Sequence, residues 1–438
     1  MFHVGGIRSA LYNYLFARKH GGTYILRCED TDKKRSKKEY EDYFLEVFRW
    51  LGLEHDEYYR QSERTEIYRA YLERLIAEGK AYISKEKPEK EGDREEVIRF
   101  RNPGVDVTFD DIVLGTITFN TKELGDFVIA RDLSEPVYHF TVVVDDYEMG
   151  VTHVIRGQEH VSNTARQILI QEAIKAPRPV YAHASIILNE ARAKLSKRDP
   201  TVRPALEYRD DGYLPEALLN FMALLGWNPG TEQEIFSKDE LIHAFSLERM
   251  QKPAAIFNPE KLEWINKEHM KRLTDEERLS MLTNALPDSV RALPEYSEET
   301  LRAATPVLME RITHVGQIRD LVETGEIEYL FATPEISNPE ALIWKNLYGR
   351  PDAASITATH LRHAANFLRS YIGTWSADAL KEAFWPYATA HGRGDVLWPM
   401  RYALSGRDKS PDPFQLMAIL GRERSVARFS RAHEILRA

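Results

Sequence analysis

The chain has 438 residues, 43% of them hydrophobic and 29% charged, with a formal net charge of −9. A length of this size can bury several cores and suggests about three domains. No run of eighteen apolar residues occurs, so no membrane-spanning helix is expected, and the lone Cys28 allows no internal disulfide and gives no sign of an oxidising compartment. The acidic balance argues against indiscriminate nucleic-acid binding but leaves room for locally basic surfaces.

The chain opens on His3-Val4-Gly5-Gly6. His3 supplies an imidazole donor, and two glycines at a helix start leave bare backbone N–H groups that favour anionic phosphate. The next residues place Ile7, Leu11, Tyr14 and Leu15 on one helical face, and Gly21-Gly22 closes the helix. Thr23 to Cys28 reads as a strand running into Glu29-Asp30-Thr31-Asp32. Acidic residues at the carboxyl end of a parallel strand lie where open α/β sheets bind ligands. A helix over Glu66 to Gly79 leads to Ala81-Tyr82-Ile83 and then to a charged break from Lys85 to Glu96.

From Val97 to Arg131 the pattern becomes alternating, with short strands at Val97–Arg101, Val107–Phe109 and Gly115–Phe119. Helix and strand alternation resumes at Tyr138 and runs past Lys194-Leu195-Ser196-Lys197-Arg198, a basic stretch suited to a mobile clamp on phosphates. The reading is a doubly wound α/β fold, with a parallel sheet and a β-rich insertion between its halves. Helices dominate from about Tyr208, beginning with Pro215 to Gly226. The insertion lacks cysteine, so a thiolate zinc site cannot form there, and His139, His153 and His160 show no ligand spacing with acids or thiols.

Together the two basic and glycine-rich motifs resemble the two signatures of class I aminoacyl-tRNA synthetases. The run from Gly21 to Ser36, Tyr59-Arg60-Gln61-Ser62-Glu63-Arg64, Val143-Val144-Asp145-Asp146 and Thr152 to His160 are similar to stretches of bacterial glutamyl-tRNA synthetases. So are Gly212 to Asn220 and Leu224-Leu225-Gly226-Trp227. This resemblance implies activation of L-glutamate by ATP, with Mg²⁺ and without zinc, followed by transfer to the 3′ end of tRNA(Glu). His3, Lys194 and Lys197 are then the catalytic candidates. Gly5, Gly6, Glu159, Leu195 and Arg198 join them around ATP, while Glu29, Tyr138 and Arg156 hold glutamate. In that role Arg156 takes the side-chain carboxylate, since a guanidinium fork favours glutamate over a neutral amide.

The resemblance also implies a cytoplasmic monomer and divides the chain. Residues 1–82 and 131–200 form the split Rossmann-like catalytic domain, 83–130 a shortened acceptor-end insertion, 201–290 a stem-contact region and 291–438 an anticodon-binding domain. Basic residues from Arg393 to Arg437, Arg428 among them, are candidates for tRNA phosphates or for a solvated surface. Trp344, Trp375, Trp385 and Trp398 are expected in the core. Whether tRNA(Gln) is also charged is left open. The family usually carries a strand and a Pro-rich turn of the form R-F-x-P-S-P-T-G before the histidine motif, where here only Met1 and Phe2 stand. That departure keeps a poorly active tRNA-binding paralogue or a shortened start as alternatives.

Overall fold

The computed structural model describes residues 4–31, 36–86, 95–195 and 203–438. They fall into two compact units, Met1–His269 and Met270–Ala438.

In the first unit, helix α1 (Val4–Lys19) buries Ile7, Leu11, Tyr14 and Leu15, the face predicted for it. Gly21 closes it at φ 63°, and the Gly22 N–H returns to the Ala17 carbonyl at 2.8 Å. Strand β1 (Ile25–Cys28), helix α2 (Lys38–Leu51) and strand β2 (Glu57–Arg60) form a strand–helix–strand unit. Its strands run parallel, from Ile25 opposite Glu57 to Cys28 opposite Arg60. Helix α3 (Thr65–Ala77) leads into the inserted strands β3 (Ala81–Lys85), β4 (Glu96–Phe100), β5 (Asp106–Asp111), β6 (Gly115–Asn120) and β7 (Phe127–Ala130). β3, β4 and β7 make one antiparallel sheet, while β5 and β6 form a hairpin. Much of the charged break, residues 87–94, lies outside the described residues.

A second parallel pair follows helix α4 (Tyr138–Glu148). Strand β8 (His153–Gly157) crosses through helix α5 (Val161–Ile174) to strand β9 (Val180–Ala184), in register from His153 and Val180 to Gly157 and Ala184. This is the parallel α/β core expected from the alternation, with helices as crossovers. It differs in one respect from a single continuous sheet. Among the described residues no ladder joins β1 to β8; β1 pairs with β2 alone, while β8 and β9 belong to a four-stranded sheet ordered β6-β5-β9-β8, in which β5 also runs parallel to β9. Helix α1 lies against β8 instead, where Asn13 Nδ2 donates to the Ile155 carbonyl at 2.8 Å, so a side chain satisfies a strand acceptor.

Helices α6 (Ala205–Asp210) and α7 (Pro215–Leu224) complete this part, α7 starting on proline at its first turn. Leu218, Leu219 and Met222 pack with α1 in one core. Immediately beyond α7, Gly226 adopts φ +99° and passes so close to Ser185 Oγ and Arg8 Nη1 that a Cβ would stand 3.1 and 3.2 Å from them. Only glycine fits both that backbone and that space.

The second unit is helical among its described elements, with helices at Glu298–Arg311, Ala353–Ser370, Ala377–His391 and Arg393–Ser405. A last stretch, Pro413–Ile435, turns at Gly421 and begins on Asp412, whose carboxylate accepts from the Phe414 and Gln415 N–H groups. Two expectations change here. Arg428 neither faces solvent nor offers itself to phosphate. It is 2% exposed and donates to the carbonyls of Tyr329, Leu404 and Ala332 and to Glu295. The four tryptophans are half-buried rather than core residues. Trp375 and Trp398 tie their indole N–H to backbone carbonyls, while Arg422 and Arg401 lie over their faces. No helix among the described residues is long and apolar enough to cross a membrane.

Candidate active site

The first turn of α1 opens on a cavity of about 270 Å³ lined by Gly5, Gly6, Gly157, Glu159, Lys194 and Leu195, among others. Residues nearly the length of the catalytic domain apart in sequence thus share one wall. Gly5 and Gly6 stand in the first turn of α1, at the positive end of its dipole and without side chains to block approach, which makes the end receptive to phosphate. Lys194 and Leu195 arrive on a tight hairpin after strand β10 (Ile187–Leu188). Leu195 N–H donates to the Ile187 carbonyl at 3.0 Å, and Asn189 Oδ1 accepts from Ala193 N–H at 2.9 Å. At position 157 a Cβ would collide with the Glu159 carboxylate, so the glycine lets that carboxylate fold over the strand end. His3, Lys197 and Arg198 lie outside the described residues.

Arg8 also lines the cavity, and sequence reasoning did not single it out. It is 3% exposed and donates to the carbonyls of Leu225 at 2.9 Å and of Ser185, while Tyr12 OH reaches the Leu225 carbonyl at 3.0 Å. These bonds lock α1 onto the end of α7 and the strand end after β9. The signal for it was a cation one turn into an otherwise apolar helix face.

The three residues expected to hold glutamate gather around a second set of charges. Burial pushes the Tyr138 phenol up; Glu29 adds to that shift, whereas Arg156 opposes it. Arg27 joins Glu29 to the α4 helix. It donates to Glu29 Oε1 at 3.3 Å and to Asp146 Oδ1 at 2.9 Å. Loss of water in the cleft pushes the Glu29 carboxyl above its ordinary value against the pull of Arg27, although 40% of its side chain stays open and solvent limits the effect. Asp146, more enclosed, is raised for the same reason. Its neighbour Asp145 is fully buried and anchors α4, accepting from Gln61, Arg64 and Tyr68 at 2.8 Å each. The Asp145-Asp146 pair was legible as a motif, but its division into an anchor and a cleft residue was not.

Arg156 is the most telling member. Its Nε donates to His183 Nε2 at 3.1 Å, and its Nη2 to Thr164 Oγ1 at 2.9 Å and to the His160 carbonyl at 3.5 Å. All three acceptors are neutral, and among the described residues no carboxylate bonds to it. Desolvation lowers its pKa, against the pull of Tyr138 and of Asp146, so the guanidinium is held in the cleft without a directly bonded carboxylate. Glu29 is in a structural ion pair, with Arg27 at 3.3 Å, whereas Arg156 has none among the described contacts.

The family described as tRNA synthetases class I (E and Q), catalytic domain, matches residues 1–95 and 84–264, and an anticodon binding domain family matches residues 280–433. A glutamate–tRNA ligase of Carboxydothermus hydrogenoformans is 39% identical, covering 96% of this chain and 94% of its own length. One of Bacillus subtilis is 34% identical, over 97% of this chain and 96% of its own. The chain belongs to the glutamyl-tRNA synthetase family. It is thus a class I aminoacyl-tRNA ligase with an α/β catalytic part and a helical C-terminal half. The crystal structure of a glutamate tRNA ligase from Elizabethkingia meningosepticum, in complex with its amino acid, superposes on this synthetase with a TM-score of 0.85 at 31% identity. That match covers 99% of this chain and 97% of the other.

Proposed function

We propose that this chain activates L-glutamate with ATP and passes the glutamyl group to the 3′ end of tRNA(Glu). The observation that carries the amino-acid assignment is Arg156, a desolvated guanidinium bonded to neutral acceptors. A substrate side-chain carboxylate supplies the missing charge, and a neutral amide does not. Glu29, 40% open to the cleft, receives the α-ammonium, and Tyr138 lines the space between.

The reaction asks the protein to align two anions. The substrate α-carboxylate attacks the α-phosphorus of ATP, the bond to the β-phosphate oxygen breaks, and pyrophosphate leaves. A terminal ribose hydroxyl of tRNA then takes the acyl group, and AMP departs. No enzyme nucleophile is needed. Gly5 and Gly6 let the phosphates approach the N-terminal end of α1, Lys194 from the same cavity lining neutralises their charge, and the Leu195 backbone reads the adenine. His3, Lys197 and Arg198 are assigned to the same phosphates by resemblance. Among the described residues no set of three His, Cys, Asp or Glu side chains is placed to hold a metal, and Glu159 is a single carboxylate in the cavity wall. That donor set fits Mg²⁺ carried chiefly by phosphate oxygens and water, where it would offset charge on the leaving pyrophosphate.

The reading extends to a cytoplasmic monomer, with 83–130 meeting the acceptor end, 201–290 the stem and 291–438 the anticodon. Arg156→Ala tests its centre. Losing a buried charge-assisted pair should cost roughly 2–5 kcal/mol in glutamate binding with ATP affinity nearly unchanged. Glutamate-dependent ATP–pyrophosphate exchange measures both, and charging of purified tRNA(Glu) and tRNA(Gln) sets the tRNA range. Unaltered glutamate kinetics in the variant would move the pocket elsewhere.

A further inference from the structure

Strand β5 buries alternate residues, Val107, Phe109 and Asp111, so a carboxylate occupies a position where the pattern calls for an apolar side chain. Asp111 is 3% exposed and lies in the inserted hairpin, yet its β5 backbone pairs with Tyr181 of the catalytic strand β9. Its Oδ1 accepts from the Val113 and Leu114 N–H groups at 3.0 and 2.9 Å. Its Oδ2 lies 2.6 Å from Nδ1 of His183, whose side chain is fully buried. Burial opposes ionisation of Asp111, but His183 and the Leu114 N–H hold its carboxyl below the ordinary value.

The other face of His183 meets Arg156. Nε2 stands 3.1 Å from Arg156 Nε, and a guanidinium N–H only donates. Nε2 must therefore accept, and the proton sits on Nδ1, directed at Asp111. One tautomer satisfies both neighbours, and the carboxylate is what selects it.

We propose that Asp111 and His183 form a positioning pair that fixes the Arg156 guanidinium for the substrate side-chain carboxylate, and so ties the selectivity of the amino-acid pocket to the inserted β5–β6 hairpin. This rests on the reading of Arg156 as the glutamate-binding cation. His183 offers Arg156 an acceptor without a charge, which orients the fork and leaves its positive charge for the ligand. An acid in the same place would neutralise it.

The test separates the two nitrogens of His183. His183→Gln keeps an acceptor near the Nε2 position, whereas His183→Asn keeps a donor near Nδ1 and withdraws the acceptor from Arg156. Asp111→Asn acts from outside the pocket. Oδ1 must stay an acceptor for the Val113 and Leu114 N–H groups, so the amide NH₂ takes the place of Oδ2 and gives up the bond that Oδ2 accepts from the His183 backbone N–H at 3.1 Å. It then faces Nδ1, drives the proton to Nε2 and sets it against Arg156 Nε–H. Glutamate-dependent pyrophosphate exchange, with thermal unfolding as the fold check, should show glutamate KM raised about tenfold or more by His183→Asn and by Asp111→Asn. His183→Gln should stay within about threefold of the parent, and ATP KM should move less than about twofold in all of them.

Equal glutamate KM for His183→Gln and His183→Asn, whether both low or both high, overturns the pair while Arg156→Ala remains damaging. If Arg156→Ala itself leaves glutamate KM unchanged, the pocket assignment fails and the proposal falls with its premise. Should His183→Asn not fold, Asp111→Asn carries the test alone, and a parent-like glutamate KM in that variant overturns the proposal.

Discussion

Two lysines and one carboxylate define the residue scale. Lys194 lines the cavity beside Gly5, and Lys197 follows it on the same basic stretch. The charge of Lys197 counts most once negative charge accumulates on the transferring phosphates. Lys197→Ala should therefore slow adenylate formation on the order of a hundredfold or more while ATP binding persists, as for loss of one transition-state donor. Single-turnover kinetics with separate ATP titration check it, and an equal loss of ground-state affinity with an unchanged chemical step would refute the assignment.

Glu29 makes a pH prediction whose sign follows from its raised carboxyl. As pH falls through that raised value, Glu29 takes a proton and loses its hold on the substrate ammonium. Glutamate KM should thus climb on the acid side above the ordinary 4.5 of a glutamate side chain, and Glu29→Gln should have a high KM without that limb. Stability runs the other way. A carboxyl whose folded value exceeds its unfolded value favours folding while protonated and opposes it once pH passes the folded value. Glu29→Gln should consequently raise the Tm of the ligand-free protein at neutral pH, and a fall in Tm would contradict the burial argument.

At the scale of elements, side chains do the joining that strand ladders do elsewhere. Asn13 takes the Ile155 carbonyl of β8, and Arg8 and Tyr12 hold α1 to the end of α7. In the helical unit Arg428 does the same work for the last helical stretch, gathering Tyr329, Leu404, Ala332 and Glu295 around one guanidinium. Arg428→Ala should cost about 3–5 kcal/mol, because it strands a partly buried carboxylate and several carbonyls. Urea unfolding reads that loss. The tRNA KM, measured well below the unfolding midpoint, should hardly move; a raised KM with intact stability would make Arg428 a phosphate contact after all.

At the scale of the whole molecule, Met270–Ala438 has a core of its own, including Leu301, Leu361, Phe384, Met400, Leu404 and Phe429. A segment of that size with its own apolar interior is expected to fold alone. Produced as a separate polypeptide, Met270–Ala438 should unfold in one cooperative transition with dispersed amide resonances. A broad, probe-dependent transition would show that its helices need the rest of the chain.

Much of this was present in the linear sequence. The apolar face of α1, the strand ending at Cys28 and the alternation of β4 to β6 follow from near-neighbour periodicity, which reports local burial directly. Glu29 at a strand end and Gly5-Gly6 at a helix start were legible because backbone geometry gives those positions their chemistry. The tertiary structure alone decided which of these pieces meet. It set Gly5 against Lys194, turned Asp111 of the insertion toward His183, left Arg156 among neutral acceptors and took Arg428 out of solvent. Such contacts join residues far apart in the chain, and a buried polar side chain leaves no periodic trace in its own segment. Its partner is chosen by packing, which has no signature until the elements close around it.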